Sequence, residues 1–309
     1  MEIYKLGAKD APAWAWSAAE RMADARMASG GLSRAGAADL MRSVASTFRA
    51  GVPEGMSVLC DSDGGWLWLE HTNDRSVRVC GGCLTENSDP NQWEDYIRRE
   101  FADHYISWCV WGKRDSLSEL VEYLGAHPSS VVMGAPVSSI VTPEGSSGAW
   151  LRPMGAGELM RFQVAAANEL GVALVSAGKH ECVDEARREA FRAIEVELSD
   201  GVASPGHRLY SLCHGGQTVG GAWLEIDSGV AVVRSVVVDS EARGQGHRRA
   251  ALAALAAAAH MEGARLIRTT VIPANHPFTS VLRNMGMDTV STDYIQTPRT
   301  HNAPVLQKV

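Results

Sequence analysis

The chain of 309 residues contains one stretch in which a buried strand runs directly into a glycine turn and then a helix. Val230–Val238 is a mostly apolar run, rich in β-branched residues and bounded by Gly229 and Asp239, which is typical of a buried strand. After the turn at residues 243–246, the apolar period becomes helical. The residues with helical spacing are Ala251, Leu252, Leu255, Ala258 and Ala259. The stretch therefore predicts a sheet strand that leads into the N-terminus of a helix.

The start of that helix is a predicted anion site. Backbone N–H groups at a helix N-terminus lack intrahelical acceptors, and the helix dipole adds a positive potential there. Gly244 and Gly246 let the backbone approach a phosphate closely. The sequence lacks a Gly-x-x-x-x-Gly-Lys-Ser/Thr loop, and this stretch lacks Gly-x-Gly-x-x-Gly, so those two classes of nucleotide site are excluded. An Arg-Gly-x-Gly turn after a buried strand remains.

That turn resembles the acyl-CoA pyrophosphate loop of the GNAT N-acetyltransferase superfamily, whose pattern is Gln/Arg-x-x-Gly-x-Gly/Ala. Arg243, Gly246 and the preceding strand match the pattern. Arg248 stands where the family has Gly or Ala. The resemblance implies a site for acetyl-CoA or another acyl-CoA.

Two further blocks resemble the same family in the same order. Residues 275–287 (NHPFTSVLRNMGM) are similar to its Asn-x-x-(small)-x-x-Leu-Tyr-x-x-x-Gly-Phe helix, with Asn275 and Gly286 matching and Leu282 at the Tyr position. Residues 149–154 look like the opening strand, before a first helix at residues 157–170. The resemblance covers about residues 149–295. It implies a mixed, mostly antiparallel sheet flanked by helices.

The resemblance also implies which residues bind the cofactor. The main chain of the cofactor strand would contact the pantetheine arm, although the same valines are also expected in the core. The implied cofactor residues are Val236, Val237, Val238, Arg243, Gly244, Gln245, Gly246, His247, Arg248, Arg249 and Asn275. For Arg248 and Arg249, the alternative is solvated surface arginine, since exposed charges cost little.

The expected chemistry is direct attack of a neutral amine on the thioester, because no Cys lies in the loop or in residues 275–287. An attacking ammonium must first lose its proton, and Glu225, near the end of the preceding strand, is the first candidate base. Other candidates are Asp227, His207, His214 and His276. Because Leu282 replaces the family Tyr, the general acid is assigned to Tyr294, with Ser280 or solvent as alternatives.

The first half of the chain shows a similar order of predicted elements and a weak local similarity. Residues 57–60, 64–65 and 68–70 have counterparts at 211–213, 220–221 and 223–225. The expected fold is therefore α+β, or mixed α/β, with two GNAT-like domains: residues 1–137 and 149–309, joined by a linker at 138–148. The first half lacks an Arg-Gly-x-Gly turn after its third strand. It is therefore interpreted as degenerate, serving as a scaffold or as part of the acceptor pocket.

Periodicity predicts the remaining elements. Helices are expected at residues 13–27, 33–48, 92–110, 117–124, 157–170 and 182–198. Strands are expected at residues 56–60, 66–71, 77–84, 130–137, 149–154, 207–213, 217–226, 230–238 and 264–271.

Composition excludes several other classes. A net charge of −7 argues against a nucleic-acid partner, which usually needs a basic surface. No apolar run is long enough to span a membrane, and the N-terminus lacks the pattern of a signal peptide, so a cytoplasmic location is expected. Cys80 and Cys83 form a Cys-x-x-Cys pair, but no second closely spaced pair follows, which favours a strand end over a zinc or redox site. No metal is therefore expected, and a homodimer is possible.

The sequence thus predicts an acyl-CoA-dependent N-acetyltransferase whose acceptor is a small amine, an antibiotic, an amino acid or a peptide N-terminus. One alternative is a non-catalytic acyl-CoA-binding or interaction protein, motivated by Leu282. Another is an acyltransferase with a carrier-bound or aminoacyl donor, which the acidic charge balance disfavours.

Overall fold

A computed structural model describes residues 2–112, 115–141, 148–273 and 275–298. The strands are β1 Tyr4–Lys5, β2 Met56–Cys60, β3 Trp66–Asn73, β4 Ser76–Cys83, β5 Tyr105–Trp111, β6 His127–Pro136, β7 Trp150–Pro153, β8 His207–His214, β9 Gln217–Asp227, β10 Val230–Val238, β11 Leu266–Val271 and β12 Asp288–Gln296. The α-helices are α1 Ala11–Ala28, α2 Arg34–Thr47, α3 Pro90–Glu100, α4 Ser118–Tyr123, α5 Ala156–Ser176, α6 Val183–Glu197, α7 His247–Met261 and α8 His276–Asn284. Most of the linker expected at 138–148 lies outside the described residues.

Both halves of the chain run through the same order of elements: strand, two helices, three strands, helix, strand, helix, strand. Most neighbouring strands are antiparallel, and each half has one parallel pair, β4 with β5 and β10 with β11. The predicted fold class, mixed α/β with largely antiparallel sheets flanked by helices, is confirmed.

The described residues divide into two compact units. The first holds the chain up to Ser29, Gly36–Ser129 and the strand from Ser291 onward, and the second holds Gly30–Ala35 and Ser130–Val290. Most of β6 thus belongs to the second unit and most of β12 to the first. The units differ from the expected domains at 1–137 and 149–309 by this exchange of strands. A local pattern does not determine which distant strand a given strand pairs with.

The helix expected at residues 92–110 is wrong beyond Glu100. α3 ends there, and β5 follows from Tyr105. Along β5, exposed and buried side chains alternate, and Ile106, Trp108 and Val110 are buried in the core of the first unit. A period of two buries these side chains on one face of a sheet, whereas a continued helix would have spread them around its circumference.

In the first unit the strand order is β1-β2-β3-β4-β5-β12. One core cluster places Trp93 and Ile97 of α3 with Leu120 of α4. A second places Ala15 of α1 with Phe48 after α2. Each large apolar side chain buried in this way stabilises the fold by about 1.5–3 kcal/mol.

In the second unit the strand order is β6-β11-β10-β9-β8-β7. Val236 and Val238 pack in one core cluster with Leu252 and Leu255 of α7. Val237 belongs to another cluster, built with residues of α5 and α6. The alternation follows from the two-residue period of a strand. It places β10 in the middle of the unit with helices on both faces.

Candidate functional site

β10 is fully paired along one edge and only half paired along the other. It is antiparallel to β9 from Val230 to Val238. Its parallel pairing with β11 ends at Val233 opposite Thr269, where the Thr269 hydroxyl donates a hydrogen bond to the Val233 carbonyl at 3.0 Å. Among the described residues, no strand pairs with residues 236–238 on that side. The ladder between the two strands therefore has a gap after Val233, along which the main chain of residues 236–238 has no described strand partner on that side.

The gap begins at a β-bulge. Val233 pairs with Leu224 and Ser235 with Trp223, which leaves Arg234 unpaired in the ladder. Bulges redirect side chains and are frequent beside functional sites. The Arg234 guanidinium pairs with Glu197 of α6, and its centre lies 5.3 Å from the centre of the Trp223 ring.

The turn after β10 needs glycine at two positions. Gly244 has φ of +78° and Gly246 has φ of +79°. A residue with a Cβ pays about 1–2 kcal/mol for this left-handed conformation. Gly246 is the N-cap of α7 and contributes no side-chain cap. Among the described residues, the N–H groups of Gly244, Gln245 and Arg248 have no protein acceptor, so these donors are available to an anion.

A cavity of about 1200 Å³ lies beside this turn. Its walls come from the glycine turn, the start of α7, the C-terminal half of α5 and the start of α8. Four arginines line it: Arg187, Arg243, Arg248 and Arg249. Among its described lining residues, Glu169 is the one carboxylate. The cavity is therefore electropositive and suited to a ligand with several negative charges.

Two of the cavity arginines share that carboxylate. Arg248 Nη2 lies 3.0 Å and 3.2 Å from the two carboxylate oxygens of Glu169, and Arg243 Nη2 lies 3.5 Å from one of them. Arg243 Nε also donates to the carbonyl of Val238 at 3.2 Å. The Arg248 guanidinium lies 5.3 Å from the ring centre of Phe278.

Residues 173–287 match the model of the acetyltransferase (GNAT) family. The chain carries a GNAT-family acetyltransferase domain. The matched region includes β10, the glycine turn, α7, β11 and α8, and the family supports acyl transfer from acyl-CoA. The sequence resemblance is thereby confirmed.

Solved structures agree on the fold. A GCN5-related N-acetyltransferase from Sphaerobacter thermophilus aligns over 95% of this chain and 94% of its own, at 18% identity and a TM-score of 0.57. A GNAT-family acetyltransferase from Colwellia psychrerythraea aligns over 96% and 98%, at 11% identity and a TM-score of 0.52. A tandem GNAT protein from the clavulanic acid biosynthesis pathway aligns over 95% and 97%, at 18% identity and a TM-score of 0.44. The sequence matches no curated protein.

In this GNAT domain, the side chains of the cofactor strand are structural. Val236, Val237 and Val238 are all buried in the core clusters, so only their main chain is available to a ligand. Their assignment to cofactor binding stays a prediction.

His247 and Asn275 also have structural contacts in the GNAT domain. The His247 ring is 2% exposed, and its centre lies 4.7 Å from that of His214. Burial, and then the charge of His214, lower the pKa of His247. The Asn275 side chain accepts a hydrogen bond from the N–H of Phe278 at 3.3 Å and so caps α8, while it also lines the cavity.

The candidate base Glu225 lies on β9 opposite Val232, and its carboxylate is 3.6 Å from Arg234 Nε. It is not part of the cavity lining, but it lies next to the bulge at which the gap opens. Of the alternative bases, His207 Nδ1 accepts a hydrogen bond from the Trp223 indole N–H at 3.0 Å, and Asp227 accepts one from the Ser228 hydroxyl in the turn.

The candidate acids lie in different surroundings. Tyr294 is on β12, opposite Trp108 in the first unit, where burial and then Glu122 raise its pKa. Its role as general acid stays a prediction. Leu282 is fully buried in the core of the second unit, which explains an apolar residue there. Ser280 is exposed on α8 and donates to the carbonyl of His276.

Sequence reasoning missed Glu169, Phe278 and Arg187 as residues of the cavity wall. Phe278 lies within the recognised 275–287 block, so that block contained a usable signal. Glu169 and Arg187 look like ordinary polar positions on amphipathic helices. Their position at the site depends on how α5 and α6 pack.

Cys80 and Cys83 lie on β4 or at its end, and both are free thiols. In the described part of the chain, no group of three or more His, Cys, Asp or Glu side chains is placed to hold a metal. None of the described helices is both long enough and apolar enough to cross a bilayer.

Proposed function

We propose that this protein is an acyl-CoA-dependent N-acyltransferase that moves an acetyl or other short acyl group to a primary amine of a small molecule, an antibiotic or a peptide. The observation that carries the proposal is the half-paired strand β10, followed by a turn that has two left-handed glycines and leads to an uncapped helix start. The family match and the electropositive cavity support it.

In this proposal each part of an acyl-CoA binds to a different part of the site. The N–H groups after Gly244 and the arginines of the cavity bind the pyrophosphate. The main chain of residues 236–238 binds the pantetheine arm along the gap. Residues 235–238 span about 13 Å of strand, and an arm that extends along them brings the thioester to the bulge at Arg234. Main-chain N–H groups there polarise the thioester carbonyl.

Transfer is a direct attack. The amine nitrogen forms a bond to the acyl carbon as the carbon–sulfur bond breaks, and the sulfur leaves as a thiolate that takes a proton from solvent. Glu225 or a water accepts the proton of the amine. Cys213 is buried in the core and donates to the Ser211 carbonyl, which fits an inert thiol rather than a nucleophile.

Two glycines at opposite ends of α7 provide a matched test. Gly244 and Gly263 have φ of +78° and +82°, and at both positions an added Cβ would meet nothing within 4 Å. Gly244→Asp places a carboxylate against the pyrophosphate and is expected to weaken acetyl-CoA binding about 100-fold or more in calorimetry. Gly263→Asp carries the same strain and should bind like wild type. Equal affinities of the two variants would contradict the site.

A second candidate is an acyl-CoA-binding protein without turnover, favoured by the buried Leu282 at the position of the family Tyr. Thioester consumption with an amine library separates the two functions. Release of free thiol with at least one amine supports the transferase. Tight acyl-CoA binding without release for any amine supports the binding protein.

A further inference from the structure

Glu169 is the one carboxylate among the described lining residues of a cavity that four arginines also line. Its carboxylate holds Arg248 through both oxygens and Arg243 through one. We infer that Glu169 determines the affinity and the phosphate selectivity of the acyl-CoA site, because its carboxylate competes with the pyrophosphate for these two guanidinium groups. The inference rests on the proposed function, since it concerns the same site.

The sign of the effect depends on whether the arginines need Glu169 to stay in place. Arg243 is also tethered to the carbonyl of Val238, and Arg248 also lies over the ring of Phe278. Both guanidinium groups therefore keep a contact when the carboxylate is removed. Removal of Glu169 leaves two positioned donors and takes away their competitor, so binding of an anion becomes tighter.

The strength of the pairing makes competition effective without preventing binding. The side chains of Glu169 and Arg248 are about one third exposed, at 35% and 34%. An ion pair at this depth is stronger than a surface pair but is still screened by solvent. A pyrophosphate carries more negative charge than one carboxylate and offers more acceptor oxygens, so it displaces Glu169.

Competition of this kind discriminates between ligands. A ligand with a pyrophosphate overcomes the carboxylate, whereas a singly charged anion gains little by replacing it. A pantetheine without phosphate does not use these guanidinium groups at all. Glu169 therefore lowers the affinity for phosphate-bearing ligands and leaves the affinity for the arm unchanged.

The test compares Glu169→Gln with Glu241→Gln in the full-length chain by calorimetry with CoA and with pantetheine. Glu241 lies in the short helical turn Ser240–Ala242, just before the glycine turn, and is exposed; its side chain pairs with no described residue, so it controls for the loss of one charge. Glu169→Gln is expected to bind CoA about tenfold tighter, the size of one charge-assisted contact. It should bind pantetheine like wild type, and Glu241→Gln should change either affinity by less than about twofold.

Several results would overturn the inference. Weaker or unchanged CoA binding by Glu169→Gln would mean that the carboxylate orders the arginines or has no part in binding. An equal gain in CoA affinity in Glu241→Gln would mean that net charge alone causes the effect. A gain in pantetheine affinity in Glu169→Gln would mean that Glu169 acts on the pantetheine arm. Each of these leaves the proposed function intact, because wild type still binds CoA. Failure of wild type to bind CoA would overturn both. Circular dichroism checks that each variant is folded.

Discussion

The two halves of the chain build the same strand, bulge and helix, but the helix after the bulged strand begins with a side-chain cap in the first half and without one in the second. β4 pairs in parallel with β5 only over Ser76–Arg78, as β10 does with the first residues of β11. Its pairing with β3 shifts between Leu69 opposite Val79 and Trp68 opposite Gly81, so Cys80 is bulged where Arg234 is bulged in β10. The backbone frame is therefore duplicated down to the bulge.

The helix starts differ. α7 begins after Gly246, which provides no side chain, whereas α3 begins after Asp89, whose carboxylate accepts the N–H of Asn91 at 3.0 Å. An aspartate N-cap satisfies an orphan donor and places a negative charge where an anion would bind. The first half thus supplies its own anion at the position where the second half leaves its donors free.

The strand gaps differ as well. In the first unit, Arg26 of α1 donates to the carbonyl of Cys80 at 3.3 Å and lies 4.8 Å from the ring centre of Trp111. The Leu84 N–H donates to the Ser116 hydroxyl at 2.9 Å. Side chains thus take main-chain groups in and just after β4. We therefore expect a duplicated backbone frame to lose a binding site when a few side chains satisfy its donors and acceptors.

The largest effect is expected at the two equivalent glutamates. Glu225 lies 3.6 Å from Arg234 Nε on β10, and Glu70 lies 3.5 Å from Arg78 Nε on β4. Glu225→Gln should lower the rate of acyl transfer about 10²- to 10⁴-fold if Glu225 is the general base. The loss should be greatest at low pH, where the amine is mostly protonated. Glu70→Gln should keep the wild-type rate.

Steady-state rates across pH, with Cys213→Ala as a further control, check this prediction. Cys213→Ala should leave the rate nearly unchanged. An inactive Cys213→Ala, an active Glu225→Gln and an acylated cysteine detected by mass spectrometry would replace direct attack with a covalent mechanism.

A smaller effect is expected on the stability of the first unit. Asp61 is 2% exposed and accepts hydrogen bonds from Gly65 N–H, the Ser88 hydroxyl and the Trp93 indole, at 2.7, 2.7 and 2.9 Å. Burial raises the pKa of Asp61, but these bonds and one from the Asp63 N–H outweigh it, so the pKa is lowered overall. Asp61→Asn should reduce the free energy of unfolding at pH 7 by about 2–3 kcal/mol.

The pH dependence gives a second readout of the same substitution. A carboxylate with a lowered folded pKa stabilises the fold fully above its unfolded pKa of about 4, and this contribution is lost as pH falls through the folded pKa. In urea unfolding, the difference in stability between wild type and Asp61→Asn should therefore be smaller at pH 3 than at pH 7. Asp63→Asn, in the same turn but exposed, is the control. A difference that is as large at pH 3 as at pH 7 would contradict the assignment.

The smallest effect is expected at Arg26. We expect one acetyl-CoA per chain in wild type and in Arg26→Ala, because Asp89 still caps α3 when the arginine is removed. Loss of the Trp111 and Cys80 contacts should cost about 1–2 kcal/mol of unfolding free energy. Calorimetric titration measures the stoichiometry. Two sites in wild type would show that the first half binds cofactor, and a second site in Arg26→Ala alone would show that the arginine by itself blocks it.

Much of this architecture could be predicted because it depends on local pattern. β2 and β10 begin and end as expected from their apolar runs, and Gly244 and Gly246 form the turn that their spacing indicated. The helix expected through residue 110 was wrong because α3 and β5 are separated by a short turn without a strong breaker. The end of α3 is set by burial of β5 in the sheet, which a local pattern does not record.

The sequence by itself determined the order of elements in the second half, the left-handed turn and the uncapped start of α7, since each depends on a few consecutive residues. Tertiary structure alone decided where β10 parts from β11, which strands the two units exchange, and that Arg26 fills the gap of the first unit. It also brought the Glu169 carboxylate into contact with Arg248, which is 79 positions away in the sequence. The physical reason is that ion pairs and strand pairing depend on distances between side chains and backbones that packing alone brings together.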